Sequence, residues 1–324
     1  MVKVVTAPIA GVTDISYRRI MKEFAPDMMF TEMVSSNAIV MENRRTDEML
    51  NMMEDDSVQI FGKDIDIMKK AAKYVESLGV KHIDVNMGCP VPKVVKNGYG
   101  AALLSDIEHI DRLVGELKET VSTGLSIKIR IGYGTWKEPV KIAKIAEKYS
   151  LDFITIHGRT REQMYSGVAD WDIIRAVKEE VSIPVIGNGD IFSAEDALER
   201  VNKSGVDGVM LARGIFGNPW LIAQVKEILT TGRVMTHPSI QERVDMALKH
   251  IKYLIEDKGE RRAATEIRKH ICWYLKGVRN GAAVKNRVNA TNSPEEVIEI
   301  LQMVRGNLGD ESSNEKFGIA EEEF

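Results

Sequence analysis

Apolar residues recur along this chain in two rhythms, and the change between them divides it. Through about residue 235, short runs rich in Val, Ile and Leu alternate with longer amphipathic stretches. The runs 2–9, 28–34, 57–61, 82–87, 125–131, 153–157, 184–187 and 208–212 predict buried strands. Between them, stretches such as 64–78, 105–121, 138–149 and 193–204 carry helical spacing, with Ser105 and Ser193 as N-caps before acid-rich first turns. Strand–helix units repeated in this way over about 230 residues fit a (β/α)8 TIM barrel better than an open doubly wound sheet. From Pro238 onward only helical spacing remains, over roughly 239–258, 261–276, 280–290 and 294–306. Pro238 and Asn292-Ser293-Pro294 read as helix-start signals. The expected organisation is an α/β barrel over 1–235, a small all-helical domain over 236–308 and an acidic, disordered tail over 309–324.

Charge sharpens that division. The formal net charge of −4 argues against a nucleic-acid partner, but it averages unlike segments. Residues 310–324 hold six acids and one lysine, while 258–290 hold nine bases and two acids. A basic helical module followed by an acidic tail leaves a polyanionic partner open. No apolar run reaches the roughly 20 residues of a membrane span, and the start of the chain lacks the pattern of a signal peptide. Two cysteines, Cys89 and Cys272, are too few for a disulfide framework or a cysteine-based zinc site, so no metal is expected. A soluble cytoplasmic protein is the expectation, with Cys272 in a helical core.

A barrel of this class builds its site at the C-terminal ends of its strands. Those ends read Thr6-Ala7-Pro8-Ile9-Ala10-Gly11, Gln59 before Phe61-Gly62, Asn86-Met87-Gly88-Cys89-Pro90, Lys128 and Arg130, His157-Gly158-Arg159-Thr160-Arg161, Gly187-Asn188-Gly189-Asp190, and Ala212-Arg213-Gly214. Lys128 stands between Ile127 and Ile129 on a strand covered on both faces, where a charge needs a partner or a task. Cys89 in a Gly-Cys-Pro turn is placed for chemistry, whereas a lone cysteine is ordinarily a small buried hydrophobe. His157 alone could be a satisfied core histidine, though its place at a strand end favours function, and Gln59 alone is neutral between the two readings. Gly187, Gly189 and Gly214 free backbone amides beside Arg213, the usual place for a phosphate in a barrel.

Taken together, these motifs resemble the tRNA-dihydrouridine synthases, most closely the bacterial B-type group. The resemblance runs over about 3–305 and rests on Ala7–Asp14, Asp84–Pro90, Lys93–Leu104, His157–Gly167, Asn188–Ile191 and Gly217–Trp220. The Asn-Met-Gly-Cys-Pro segment together with His-Gly-Arg-Thr-Arg is the specific part. It implies FMN in the barrel mouth and NADPH as reductant, with uridine in tRNA reduced to 5,6-dihydrouridine. Carried over by position, Pro8, Ile9 and Ala10 would lie under the flavin and Gln59 at its ring edge. Lys128 would stand at the N1/O2 side, where a cation favours a reduced anionic ring. Asn188, Gly189, Asp190, Ala212 and Arg213 would hold ribityl and phosphate groups, with His157 near the phosphate or the ring. Cys89 would be the general acid delivering a proton to uracil C5 after hydride reaches C6. Asn86, Arg159 and Arg161 would contact the substrate. Ala101 departs from the serine common in relatives, a change expected to be neutral.

In the helical module, Arg262, Lys269 and Lys276 recur every seven residues and predict one basic helix stripe beside Trp273 and Tyr274, suited to tRNA phosphates. Two other functions remain open at this point. One is an FMN-dependent oxidoreductase acting on free pyrimidines or other small molecules, which leaves the basic module without a task. The other is a tRNA-binding protein with a disused site, which leaves Cys89 and Lys128 without one.

Overall fold

Parallel strands buried on both faces need apolar side chains outward, towards covering helices, and a second set of side chains inward, towards each other. The computed structural model, which describes residues 1–41, 44–278 and 281–308, meets that requirement with one sheet. Its strands are β1 (Lys3–Thr6), β2 (Met29–Phe30), β3 (Val34–Ser35), β4 (Asp56–Phe61), β5 (His82–Met87), β6 (Gly124–Gly132), β7 (Phe153–Thr160), β8 (Val185–Asn188) and β9 (Gly208–Leu211). They run parallel in the order β1-β9-β8-β7-β6-β5-β4-β2, with β3 also on β4. A parallel bridge from Val5 to Met28, with Thr6 N donating to Met28 O at 3.1 Å, joins the two ends of that order. The result is the expected (β/α)8 barrel. The expected second strand is split: β2 and β3 pair with β4 on either side of Thr31–Met33.

The helices between strands start where short polar side chains cap them. Ser193 and Asp196 form a reciprocal capping box for Ala194–Ser204, which ends at Gly205 with φ 65°. For Ile107–Thr120 the cap is Asp106, whose side chain accepts from His109 N, and not Ser105, whose hydroxyl turns back to Ala102 O. A carboxylate at that position also suits the positive end of the helix dipole. Ile83, Val85 and Met87 of β5 face outward and are fully buried, as are Ile110 and Leu113 of that helix.

Inside the barrel the side chains divide into two halves. Val5, Ala7, Phe30, Phe153, Ile186 and Met210 form an apolar cluster, with Ile9, Met28 and Ala212 packed against it. On the strands β4 to β6 the inward positions are polar: Gln59, His82, Asp84, Asn86, Ser126 and Lys128. The halves meet where the His82 ring stacks on Phe153, with centroids 5.0 Å apart and planes 7° apart.

The chain divides into two compact units, Met1–Ile215 with Leu221–Met235, and Phe216–Trp220 with the segment from Thr236 on. The second unit consists of the helices Ile240–Lys258, Glu260–Tyr274, Gly281–Ala290 and Pro294–Leu308. Ser239 and Glu242 cap the first of these reciprocally. Phe216 stacks on Trp273 at 4.3 Å, and a Cβ on Gly217 would come within 2.4 Å of the Trp273 backbone, so this short segment packs as part of the helical unit. Arg279 and the acidic stretch 309–324 lie outside the described residues. Among the described residues no helix is long and apolar enough to cross a membrane.

Candidate active site

The C-terminal ends of the strands bring nearly all the chemistry-bearing residues of the barrel to one mouth. Cys89 follows β5 and is 9% exposed. Its turn is held from below, where Asn86 Oδ1 accepts from Gly88 N at 3.2 Å and from Cys89 N at 2.9 Å. It is held from the side by Arg130, whose Nε donates to Gly88 O at 3.0 Å. A third hold comes from Ala101 N, donating to Cys89 O at 3.0 Å. Gly100 must be glycine here: its φ is +59°, and a Cβ would meet Cys89 O at 2.8 Å. Burial pushes the Cys89 thiol up from its ordinary value, against smaller opposing effects from the Val91 amide, Arg130 and Lys128. The thiol therefore holds its proton at neutral pH.

Lys128 projects from β6 into the mouth, where Asn188 Oδ1, at 3.4 Å, accepts a long hydrogen bond from its Nζ. Burial and the neighbouring Arg130 pull its pKa down to about 8, with Asp84 and Cys89 acting in the opposite sense. A cation held this loosely suits an incoming acceptor or anion.

His157 is tied to the same amide. Asn188 Nδ2 donates to Met210 O at 2.7 Å, which leaves Asn188 Oδ1 as the acceptor facing His157 Nδ1, also at 2.7 Å. His157 therefore carries its proton on Nδ1, and Nε2 is a buried lone pair with no partner among the described residues. Burial, with Lys128 and Arg130 nearby, holds this imidazole well below its ordinary value, hence neutral. Such an acceptor suits a hydroxyl or imide N–H and repels a fully ionised phosphate. Of the two places expected for His157, the phosphate is disfavoured.

Asp190, expected to hold a cofactor, binds two arginines with its side chain. Oδ2 accepts from Arg159 Nη2 at 2.7 Å and from Ala169 N at 2.8 Å, and Oδ1 accepts from Arg213 Nη2 at 3.1 Å. Its φ of 49° is a left-handed turn that this web maintains. Arg159, expected at the substrate, is buried, with Nε and Nη2 committed to Ser166 O, Gly167 O and Asp190, while its Nη1 is a buried donor with no partner among the described residues. Arg213 lies over the rings of Tyr165 and Phe192, 4.9 and 5.3 Å from their centroids, a setting that the sequence did not announce. Arg161 also has a buried Nε without a partner among the described residues.

The glycines read as phosphate-freeing divide differently. Gly187 lies within β8, where a Cβ would strike Trp171 at 2.3 Å, and Gly214 packs on Ile191 O, so both are glycine for packing. Gly189, with φ +132°, keeps the expected role open. Pro8 and Ile9 are half-buried and Ala10 is exposed at the end of β1, while Ala212 is half-buried across the mouth. Gln59 is fully buried below Asn86, so the bond expected from it at a ring edge must reach past Asn86. Among the described residues no group of His, Cys, Asp and Glu could hold a metal ion.

In the helical unit Arg262 and Lys269 share the helix Glu260–Tyr274, but Lys276 lies past its end at Leu275, so the expected three-residue stripe stops at two. Arg262 also pairs with Glu266 at 3.4 Å. Cys272, expected in the core, is only half-buried.

Three comparisons bear on this geometry. A model of the dihydrouridine synthase family matches residues 5–308. A probable tRNA-dihydrouridine synthase of Rickettsia conorii is 41% identical over 301 residues, 91% of each chain. A tRNA-dihydrouridine synthase B of Pasteurella multocida is 36% identical over 304 residues, 93% of this chain and 92% of that one. Among solved structures, histamine dehydrogenase from Rhizobium sp. 4-9 superposes with a TM-score of 0.51 at 15% identity, over 78% of this chain and 49% of that one, which is a likeness of fold.

Proposed function

The chain belongs to the dihydrouridine synthase family, and we propose that it reduces uridine in tRNA to 5,6-dihydrouridine with FMN as prosthetic group and NADPH as reductant. The observation that carries this reading is a proton-holding thiol, Cys89, fixed at the barrel mouth beside the loosely bound ammonium of Lys128.

The residues present fit a flavin mononucleotide. Ile9 and Ala212 offer an apolar floor, Lys128 a cation for an electron-rich ring edge, and His157 Nε2 an acceptor for a hydroxyl or imide N–H. Arg213, oriented by Asp190, and the backbone at Asn188 and Gly189 suit the phosphate. When bound, FMN supplies the hydride that uracil C6 accepts.

The chain's own residues do the rest. As C6 gains hydride, C5 acquires enolate character, and Cys89 Sγ–H delivers the proton there as general acid. The thiolate left behind is stabilised by the Val91 amide, Arg130 and Lys128, the same groups that oppose the effect of burial. Asn86 keeps the thiol's turn in place. A base stacked in folded tRNA must be extruded to reach such a mouth. The nine bases of 258–290 suit the phosphates around it. Free pyrimidines would make no use of that module.

The test is direct. Purified protein should release FMN on heating, and with NADPH it should form dihydrouridine in a tRNA transcript but not in free uridine. Recovery of FAD, or equal turnover of free uracil, would overturn the proposal.

A further inference from the structure

The polar half of the barrel interior is one continuous hydrogen-bonded line, and its direction can be deduced from its upper end. Asn86 Oδ1 is claimed by two backbone N–H groups, those of Gly88 and Cys89. An amide has one oxygen, so Nδ2 must face Gln59, whose Oε1 accepts at 2.8 Å. Gln59 therefore turns Nε2 to Asp84 Oδ2, at 2.7 Å, and that oxygen is an acceptor without a proton. Any proton on Asp84 must sit on Oδ1, which lies 2.6 Å from Ser126 Oγ. Ser126 Oγ is 2.9 Å from His82 Nε2, and His82 Nδ1 is 3.2 Å from Asp152 Oδ2 at the opposite end of the strands.

One proton satisfies every group in this line, and it has two possible homes. On Asp84, the acid donates to Ser126, Ser126 to His82 Nε2, and His82 Nδ1–H to the Asp152 carboxylate. On His82, the line runs the other way, and the barrel interior holds both a carboxylate and an imidazolium. The first keeps charge off the buried Asp84, 1% exposed, and leaves it on Asp152, whose side chain is 44% exposed. The second removes two more charges from water, at several kcal/mol per ion. Burial pushes this acid up, against the hydrogen bonds from Ser126 and Gln59 and the smaller effects of His82 on β5 itself and Lys128 on β6.

We propose that Asp84 is a positioning residue for the Cys89 turn and works as a neutral acid. Its Oδ1–H closes the line downward to Ser126 and His82, while its Oδ2 accepts from Gln59 Nε2 and so supports the orientation that the Gly88 and Cys89 amides impose on Asn86. Asn86 Nδ2 donates to Gln59 Oε1 at 2.8 Å and to Met33 Sδ at 3.7 Å, so a substrate group that takes the place of the weak sulfur acceptor meets an N–H and not the amide oxygen. The group that meets Asn86 must then be an acceptor, such as a uracil carbonyl oxygen. The catalytic consequence rests on the reading of Cys89 as proton donor; the line itself does not.

Infrared difference spectroscopy of the full-length protein, wild type minus Asp84→Asn, reads the proton without turnover, so failure of this inference and of the proposed function are told apart. A protonated-carboxyl C=O band should be present at neutral pH, vanish in Asp84→Asn, and shift in Ser126→Ala; its absence from the wild type overturns the proposal. In turnover, Asp84→Ala should lower kcat by on the order of 10²-fold with KM for tRNA little changed. Asp84→Asn, which retains an acceptor for Gln59 and a donor for Ser126, should restore most of that loss. An Asp84→Asn variant as slow as Asp84→Ala would show that a carboxylate is required and overturn the neutral-acid role. Should Asp84→Ala not fold, the infrared comparison decides alone.

Discussion

The side-chain oxygen of Asn86 accepts the backbone N–H of Cys89 at 2.9 Å, which ties the proposed proton donor to the strand beneath it. Replacing Asn86 with Ala strands that N–H, the N–H of Gly88 and the Gln59 carbonyl. The expected loss of stability is about 1–3 kcal/mol for each group left buried without a partner. Urea denaturation should show it together with a fall in turnover, and a variant as stable as wild type would mean that the turn is held elsewhere.

Cys89→Ala should retain its flavin and its oxidation of NADPH by oxygen, while dihydrouridine formation falls by roughly 10²–10⁴-fold. Single-turnover assays on pre-reduced protein measure this. Wild-type yield would remove the acid role, and loss of flavin would make the residue structural.

Lys128 bears on pH. With a pKa of about 8, its ammonium is present below that pH and is lost as pH rises through it. The positive charge favours an anionic reduced ring, so the flavin midpoint should drop more steeply above about pH 8. Lys128→Met should have the lower midpoint already at pH 7 and lack the inflection. Redox titrations across pH test both points, and an unchanged midpoint in the variant removes the role.

His270 gives the helical unit a pH limit. It is fully buried, with its ring 4.3 Å from that of His250, and burial, then the His250 charge, hold it well below its ordinary value of 6.5. The unfolded chain then binds more protons than the folded one below about pH 6.5. Stability is complete above that pH and declines as pH falls beneath it. Hydrogen-exchange protection factors in 240–258 and 260–274, corrected for the intrinsic rate at each pH, should fall between pH 7 and 5.5, and less so in His270→Leu. Identical pH dependence in both proteins would assign the acid sensitivity to other groups.

Changing Arg262, Lys269 and Lys276 together to Gln should weaken tRNA binding and spare flavin content. For every phosphate that a side chain no longer neutralises, the slope of log affinity against log salt should flatten by roughly 0.7–0.9. Wild-type affinity and slope in the triple variant would return these residues to an ordinary solvated face.

The sequence by itself determined the barrel, the helical module and the strand ends that carry chemistry. Both rhythms are local: a strand alternates every two residues and a helix every three to four, whatever they later pack against. Cys89, Lys128 and His157 could be singled out as candidates because an unusual residue at a strand end is visible without knowing its neighbours. Only the tertiary structure decided what those neighbours are. Gln59, Asp84 and Ser126 stand side by side through the register of β4, β5 and β6, yet they are 25 and 42 residues apart in the chain. No periodicity encodes that spacing. The same holds for Gly187, which is small because Trp171 fills its place, and for Arg159, which Asp190 draws into the interior. Lateral pairing in a closed sheet joins segments whose order in space is set by closure and burial, and it is that pairing which turned a row of polar strand residues into a directed line beneath Cys89.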